Sequence, residues 1–314
     1  MLPGGATTSP GRIAVATLPR HGRDERPPSL PSPAMAEAYD RRRCMTWLAS
    51  DRMVRTTPGP NPLGVAWSAL RAGAARRPRP GGSAGVDHAA LAPILVALRT
   101  GGMGALVDLR PALADYRSSL EQVVPDQLSA TEALAYWLNL YNAGALDLAA
   151  EAAQTVATTV VGVRGGFRRS WATVAGETLS LDGIEHGKVR RLGDPRIHAA
   201  LVCGSASCPT LRFEPYSGSG VHAQLDNQMR RFLAGGGAAA DRNAGMLLLS
   251  RILKWYGGDF VHPHRMPTWL PATRRRIVVA ITPWLDASVV SWIAETRPGV
   301  RFQPYDWALA CTVG

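Results

Sequence analysis

Cysteine is scarce in this chain: four residues, Cys44, Cys203, Cys208 and Cys311, among 314. So few, so widely scattered, exclude a small domain built on a disulfide scaffold. Long apolar runs are also missing. No stretch reaches the roughly 18–20 uninterrupted apolar residues that a membrane span needs. An ordinary signal peptide is absent, because Gly and Pro interrupt the weakly apolar start and residues 13–18 are too short for its hydrophobic region. The expectation is therefore a cytoplasmic protein, with Met35, Met45 and Met53 as alternative starts. No internal repeat is visible, and nothing in the sequence calls for a cofactor.

The net charge of +11 suggests nucleic acid until its distribution is examined. Residues 1–86 hold 13 Arg and no Lys against 5 acids, a net of +8. The remaining 22 bases meet 19 acids, a net of only +3. The basic character belongs to a leader, which argues against nucleic acid as a partner of the folded part. Seven of the 24 Pro fall within residues 1–40, and RRPRPGGSAG over 76–85 has the composition of a linker. Residues 1–86 read as a disordered basic Pro/Arg-rich leader and linker, and residues 87–314 as a globular domain.

Within that domain, His88 to Leu98 and Leu109 to Val123 carry helical spacing of apolar residues. Ser129-Ala-Thr-Glu132 is a capping box. The helix it starts runs to about residue 153 and is apolar nearly all round, so it belongs at the centre. Trp171–Val174 and Thr178–Leu181 read as a hairpin, Asp182 as the cap of a short helix, and Ile197–Val202 as a short strand. A helix is expected over 219–233, a strand at Met246–Leu249, a helical turn at Arg251–Tyr256, a helix over 274–296 despite Pro283, and a closing strand over 301–310. The class is α+β: a mostly helical single domain with a small, mainly antiparallel sheet, cysteine-hydrolase-like in outline.

Reactive side chains concentrate between Asp182 and Pro209. Asn139 and Asn142 lie three apart on the central helix, hence on one face, either as clamps on a neighbouring loop or as donors to a substrate. Glu185 and His186 are adjacent on the short helix. Arg196 could hold a buried carboxylate such as Glu185, or a substrate anion. His198, Cys203, Ser205, Ser207 and Cys208 form the densest reactive set. On a straight strand His198 and Cys203 face opposite ways, about 16 Å apart. Cys208 differs: Pro209 suits the first position of a helical turn, which would place the thiol at a helix N-terminus. A thiolate there with His198 nearby meets the requirement for a cysteine nucleophile. Two rival arrangements use the same residues: a zinc site of Cys203, Cys208, His198 and His186, and a Cys203–Cys208 disulfide in an oxidising compartment. Trp255 and Trp307 are expected to pack under the site, and Asp259 and Asp306 are candidate buried acids.

The ordered series YWLNLYNA (136–143), LSLDGIEHGKVRR (179–191), DPRIHAALVCGSASCPTLR (194–212), QLDNQMRRFL, LSRILKWYGGDF and YDWAL resembles the bacterial and plant family known as domain of unknown function 547, DUF547. The likeness spans roughly 87–310 and is firmest over 131–260. It implies a module and no assigned reaction. Its characteristic polar positions fall here on Asn139, Tyr141, Asn142, Glu185, His186, Arg196, His198, Cys203, Ser207, Cys208 and Pro209. His88 and Ala310 depart from the pattern, where Tyr and Asn are usual.

The reading that follows is a thiol-dependent hydrolase or transferase. Cys208 is its nucleophile, His198 the base and Glu185 the group that orients a histidine, while Asn139 serves the oxyanion. Asn142, His186, Arg196 and Ser207 bind or orient substrate. A non-catalytic scaffold or binding module and a Cys/His zinc protein are the alternatives. The partner is not legible.

Overall fold

The computed structural model describes residues 75–155, 157–268 and 270–314. These lie in one compact unit, and the expected disorder of residues 1–74 falls outside the described residues. Among the described residues the order of elements begins with three helices: α1 (Leu91–Leu106), α2 (Arg110–Glu121) and α3 (Ala130–Gln154). A hairpin of β1 (Ser170–Val174) and β2 (Glu177–Ser180) leads into the short helix α4 (Leu181–Gly187). Helix α5 (Val221–Phe232) is followed by β3 (Ala238–Asp241), β4 (Met246–Leu249), α6 (Arg251–Trp255) and α7 (Gly257–Val261). Helices α8 (Arg274–Ile281) and α9 (Ala287–Thr296) precede the last strand, β5 (Gly299–Phe302).

The central helix forms as its sequence requires. Ser129 accepts the backbone N–H of Glu132, closing the N-terminus. Its residues from Ala133 to Leu146 are buried on every side, so the helix can only be central. Gly144 has a packing reason. A Cβ there would come within 2.5 Å of the Leu181 side chain and 2.9 Å of the Trp171 indole. Around α3 one apolar cluster gathers α1, α2, the hairpin and α4. A second cluster, with Leu247, Leu249, Phe260 and Ile281, lies between the sheet and helices α5, α8 and α9.

The fold is α+β and mostly helical, with two small sheets. β1 and β2 pair antiparallel. β3 and β4 pair antiparallel, and β4 pairs parallel with β5, Leu249 opposite Phe302. Two of the three pairings are thus antiparallel, as expected. Several elements differ in detail. Ser180, two residues before Asp182, caps α4. Residues 197–202 are not a strand: a 3-10 turn covers Pro195–Ala199, because Asp194 caps Arg196 N and Pro195 sits at its first position. Pro283 divides the expected helix over 274–296 into α8, a 3-10 turn and α9. Strand β5 ends at Phe302, and residues beyond it run instead along the Cys203–Cys208 loop. Order also begins earlier than Val86. The N–H groups of Gly81 and Gly82 bond the Asp126 and Leu128 carbonyls, and the Lys188 ammonium holds the Arg76 carbonyl at 2.6 Å.

Two asparagines lock this arrangement. Asn139 donates to the Tyr216 carbonyl at 2.8 Å and accepts the Tyr216 N–H at 2.9 Å. Asn142 does the same for the following loop: it donates to Ala200 O and accepts from Val202 N, both at 3.1 Å. Each amide therefore replaces a missing ladder partner for two buried backbone groups. Asn142→Leu would leave the Ala200 carbonyl and Val202 N–H unsatisfied, at about 1–3 kcal/mol each. Urea unfolding should show a loss of about 2 kcal/mol or more. A loss below about 0.5 kcal/mol would refute the clamp.

Candidate functional site

Helix α4 and the turns after it carry three of the polar groups that meet beside α3. Glu185 accepts the Tyr141 hydroxyl at 3.0 Å on one oxygen and the Tyr256 hydroxyl at 2.5 Å on the other. His186 Nδ1 stands 3.6 Å from Glu185 and 3.3 Å from an Arg190 nitrogen. Arg190, 1% exposed, makes a two-pronged bond to Asp259, 0% exposed, at 2.8 and 3.1 Å. Asp259 also accepts the Thr268 N–H at 2.9 Å and bonds His198 Nε2 at 2.9 Å. The His198 ring stacks on Tyr256, with centroids 3.8 Å apart, and the Phe260 ring lies tilted against it at 5.8 Å.

These contacts fix the charge states. Burial alone would raise the Asp259 carboxyl, but His198 and Arg190 more than offset this and hold it at about 2. Burial likewise opposes ionisation of Glu185, and His186, the Tyr256 hydroxyl and Arg190 bring it below the usual carboxylate range. His198 goes the other way: burial outweighs its bond to Asp259 and lowers its pKa, so it stays neutral. Both hydroxyls on Glu185 are pushed up, chiefly by burial, and remain protonated donors.

Near this network lies the sulfur pair. Cys203 and Cys208 form a disulfide, with Cα atoms 6.3 Å apart. The Tyr305 hydroxyl stands 3.2 Å from each sulfur. The Cys203 backbone N–H reaches Cys208 Sγ at 3.0 Å. Ser205 Oγ is 3.3 Å from Cys203 Sγ. The loop between them is pinned to the C-terminal segment by Ala206 N to Ala308 O, Ser207 N to Asp306 O and Ala310 N to Gly204 O. Gly204 has φ +75°, a conformation that favours glycine, and packs on Val160 and Ala149. Trp255, Tyr305 and Trp307 cluster beside the sulfurs, with Trp255 45% exposed.

Several expectations need correction. Cys208 does not open a helix: Pro209 and Thr210 lead into an irregular segment, and the next helix starts at Val221. No Cys208–His198 bond is found among the described residues, and His198 spends Nε2 on Asp259. The acid beside His198 is Asp259, while Glu185 binds two tyrosines and lies against His186. Asn139 and Asn142 direct their amides at backbone groups, which leaves the oxyanion role without support. Arg196 pairs with Asp194 at 2.6 Å and Asp226 at 2.9 Å, and Glu185 is not among its partners. Ser207 Oγ accepts Asp306 N–H and so fastens the loop. The zinc set does not assemble, since no group of three or more His, Cys, Asp or Glu suited to a metal occurs among the described residues. Trp255 and Trp307 pack on Tyr305 beside the sulfurs, and Asp306 is only half-buried. Sequence reasoning did not single out Arg190. Its i, i+4 spacing from His186 was the available signal.

The model of the family described as "Protein of unknown function, DUF547" matches residues 125–233. The motif resemblance is borne out there, from the start of the central helix through α5. No curated protein and no solved structure matches the chain. Among the described residues no helix is long and apolar enough to cross a membrane.

The network sets a pH dependence. For His198 the folded pKa is lowered from 6.5, so the unfolded state binds the extra proton and stability falls as pH drops below about 6.5. His88, lowered by burial to about 4, acts with the same sign between 6.5 and 4. Asp259 adds a further loss from 3.8 down to about 2. Urea unfolding at pH 7, 5.5 and 4.5 should show a steady fall, and His198→Gln should make the pH 7 to 5.5 step shallower. A step of unchanged size in that variant would contradict the assignment.

Proposed function

We propose that the protein is a thiol–disulfide oxidoreductase, with Cys208 as the attacking sulfur and Cys203 as the resolving one. The observation that carries this reading is the environment of Cys208 Sγ. It meets the Cys203 N–H at 3.0 Å and the Tyr305 hydroxyl at 3.2 Å. Hydrogen bonds donated to a thiolate favour the charged form. Both cysteines are only half-buried, so a substrate sulfur can approach.

In this scheme the Cys208 thiolate of the reduced protein attacks one sulfur of a substrate disulfide. The substrate S–S bond breaks, and its second sulfur leaves with the electron pair and takes up a proton. Cys203, losing its proton, then attacks Cys208 Sγ in the mixed disulfide. That step releases the first substrate sulfur as a thiol and closes the Cys203–Cys208 bond. The protein loses two electrons and the substrate disulfide gains them. An external dithiol reverses the process. Acyl transfer or hydrolysis through a Cys208–His198 dyad gains less support, because His198 is held by Asp259 and stacked under Tyr256. A disulfide that persists suits an oxidising compartment, whereas in a reducing cytoplasm the pair would rest as the dithiol.

The scaffold reading rests on a separate observation: Asn139 and Asn142 are spent entirely on backbone carbonyls and N–H groups that hold the site loops. It predicts a stable pair of sulfurs with no special reactivity. Alkylation separates the two. After reduction, iodoacetamide near neutral pH should modify Cys208 at least tenfold faster than Cys311, whose thiol burial pushes up to about 12. In Cys203→Ser, oxidised glutathione should be trapped as an adduct on Cys208. Modification of Cys208 no faster than Cys44 would defeat the proposal.

A further inference from the structure

We infer that the rings of Trp255, Tyr305 and Trp307 form the substrate-binding surface of the sulfur site, and that the substrate is a polypeptide with an aromatic or aliphatic side chain close to its disulfide cysteine. On the exchange reading above, on which this rests, the sulfur of that cysteine is the one Cys208 attacks.

The exposure of Trp255 has a local cause. On α6, Ile252 and Leu253 enter the second apolar cluster. Tyr256 is drawn inward onto His198 and Glu185. Trp255, about 100° from its neighbour on a helix, is left facing out, 45% exposed. It is not an isolated apolar residue, which would be ordinary on a surface. Its ring lies 4.9 Å from Tyr305 and 5.7 Å from Trp307, and those two rings lie 4.5 Å apart. Tyr305 and Trp307 are themselves half-buried. The three rings therefore offer one apolar face, the kind of surface that marks a binding site.

That face is continuous with the reacting atoms. The Tyr305 hydroxyl stands 3.2 Å from both sulfurs, while its ring carries the contacts to Trp255 and Trp307. An extended chain advances about 3.3 Å per residue, so a side chain about two or three positions from the substrate cysteine reaches the rings. A small disulfide with no apolar body leaves them uncovered. Backbone pairing cannot supply the recognition instead. The Gly204 carbonyl and the Ala206 and Ser207 N–H groups are already taken by residues 306–310. A substrate strand has no free edge to join at these groups, and affinity falls to side chains laid on the rings. Tyr305 serves the sulfurs with its hydroxyl, which leaves Trp255 as the residue that selects the flanking side chain.

Two peptides test this, alike except for Phe or Gly two positions before a single cysteine. With that cysteine S-methylated, each is titrated into the full oxidised chain, so that no exchange can occur. The ¹⁵N–¹H signals of the indole groups are followed, assigned with Trp255→Phe and Trp307→Phe. The Phe peptide should shift the Trp255 signal with a Kd on the order of 1 mM, and the Gly peptide should bind at least about fivefold more weakly. Disulfide-linked dimers of the same peptides are then offered to the reduced chain. The Phe dimer should react with a kcat/KM at least about fivefold higher, mostly through KM. Trp255→Ala should bring the two dimers within about twofold of each other, with a thermal midpoint within a few degrees of the parent. Val279→Ala, which trims a 73% exposed side chain on α8, should keep the preference. Equal affinity of the methylated peptides, an unmoved Trp255 signal, or a preference that survives Trp255→Ala would each overturn the inference. Selective binding with no exchange by either dimer would leave the rings as the peptide site and defeat the exchange reading alone. Exchange of both dimers at equal rates would do the reverse. If Trp255→Ala does not fold, the peptide preference and the Trp255 shift in the parent decide.

Discussion

The contact on which the rest depends is the two-pronged bond between Arg190 and Asp259, 1% and 0% exposed. A charge pair so deep is a poor source of net stability, because desolvation takes back most of the Coulomb gain. It is, however, intolerant of a missing partner. Arg190 comes from the turn after α4 and Asp259 from α7, so neither can be buried until both segments arrive. His198 and Thr268 then complete the carboxylate's coordination. The pair thus joins the helical cluster around α3 to the one built on the sheet.

From this junction the site is positioned in steps. Tyr256 stacks on His198 and donates to Glu185, while Tyr141 on the central helix donates to the same carboxylate. Asn142 fixes the backbone at Ala200 and Val202, immediately before Cys203. The C-terminal segment grips the other side of the sulfur loop at Ala206, Ser207 and Gly204. The cysteines therefore sit at the meeting point of three elements distant in sequence, with Tyr305 supplied from the last. Such a loop can keep its two sulfurs adjacent whether or not they are bonded, which is what exchange between dithiol and disulfide requires.

Much of this was legible in the residues. The capping box at Ser129 and the all-round apolar helix predicted α3, and the paired segments Trp171–Val174 and Thr178–Leu181 predicted the hairpin. The DUF547 motifs fall largely on the residues of the candidate site. The asparagine pair could be recognised as clamps because a buried amide must find partners. What failed did so for identifiable reasons. IHAALV over 197–202 has a strand's composition, yet the Asp194 cap and Pro195 wind its start into a 3-10 turn. That local chemistry overrode the apolar run and removed the alternation on which the His198–Cys203 geometry was argued. Assigning Glu185 to orient a histidine followed the triad pattern, and Glu185 does lie 3.6 Å from His186, but it is not the acid on His198. The actual acid, Asp259, is 61 positions away and only the tertiary fold brings it in. Tyr305 lies farther still, on a segment that was expected to be a strand.

The central claim is that Cys208 is a stabilised thiolate in the reduced protein. Thiolate absorbance followed across a pH titration tests it most directly, with the parent compared with Cys208→Ser and Tyr305→Phe. The account predicts a transition below the ordinary thiol value of about 8.5, absent from Cys208→Ser and moved upward in Tyr305→Phe. A Cys208 transition at or above about 8.5, indifferent to the loss of the Tyr305 hydroxyl, would contradict it.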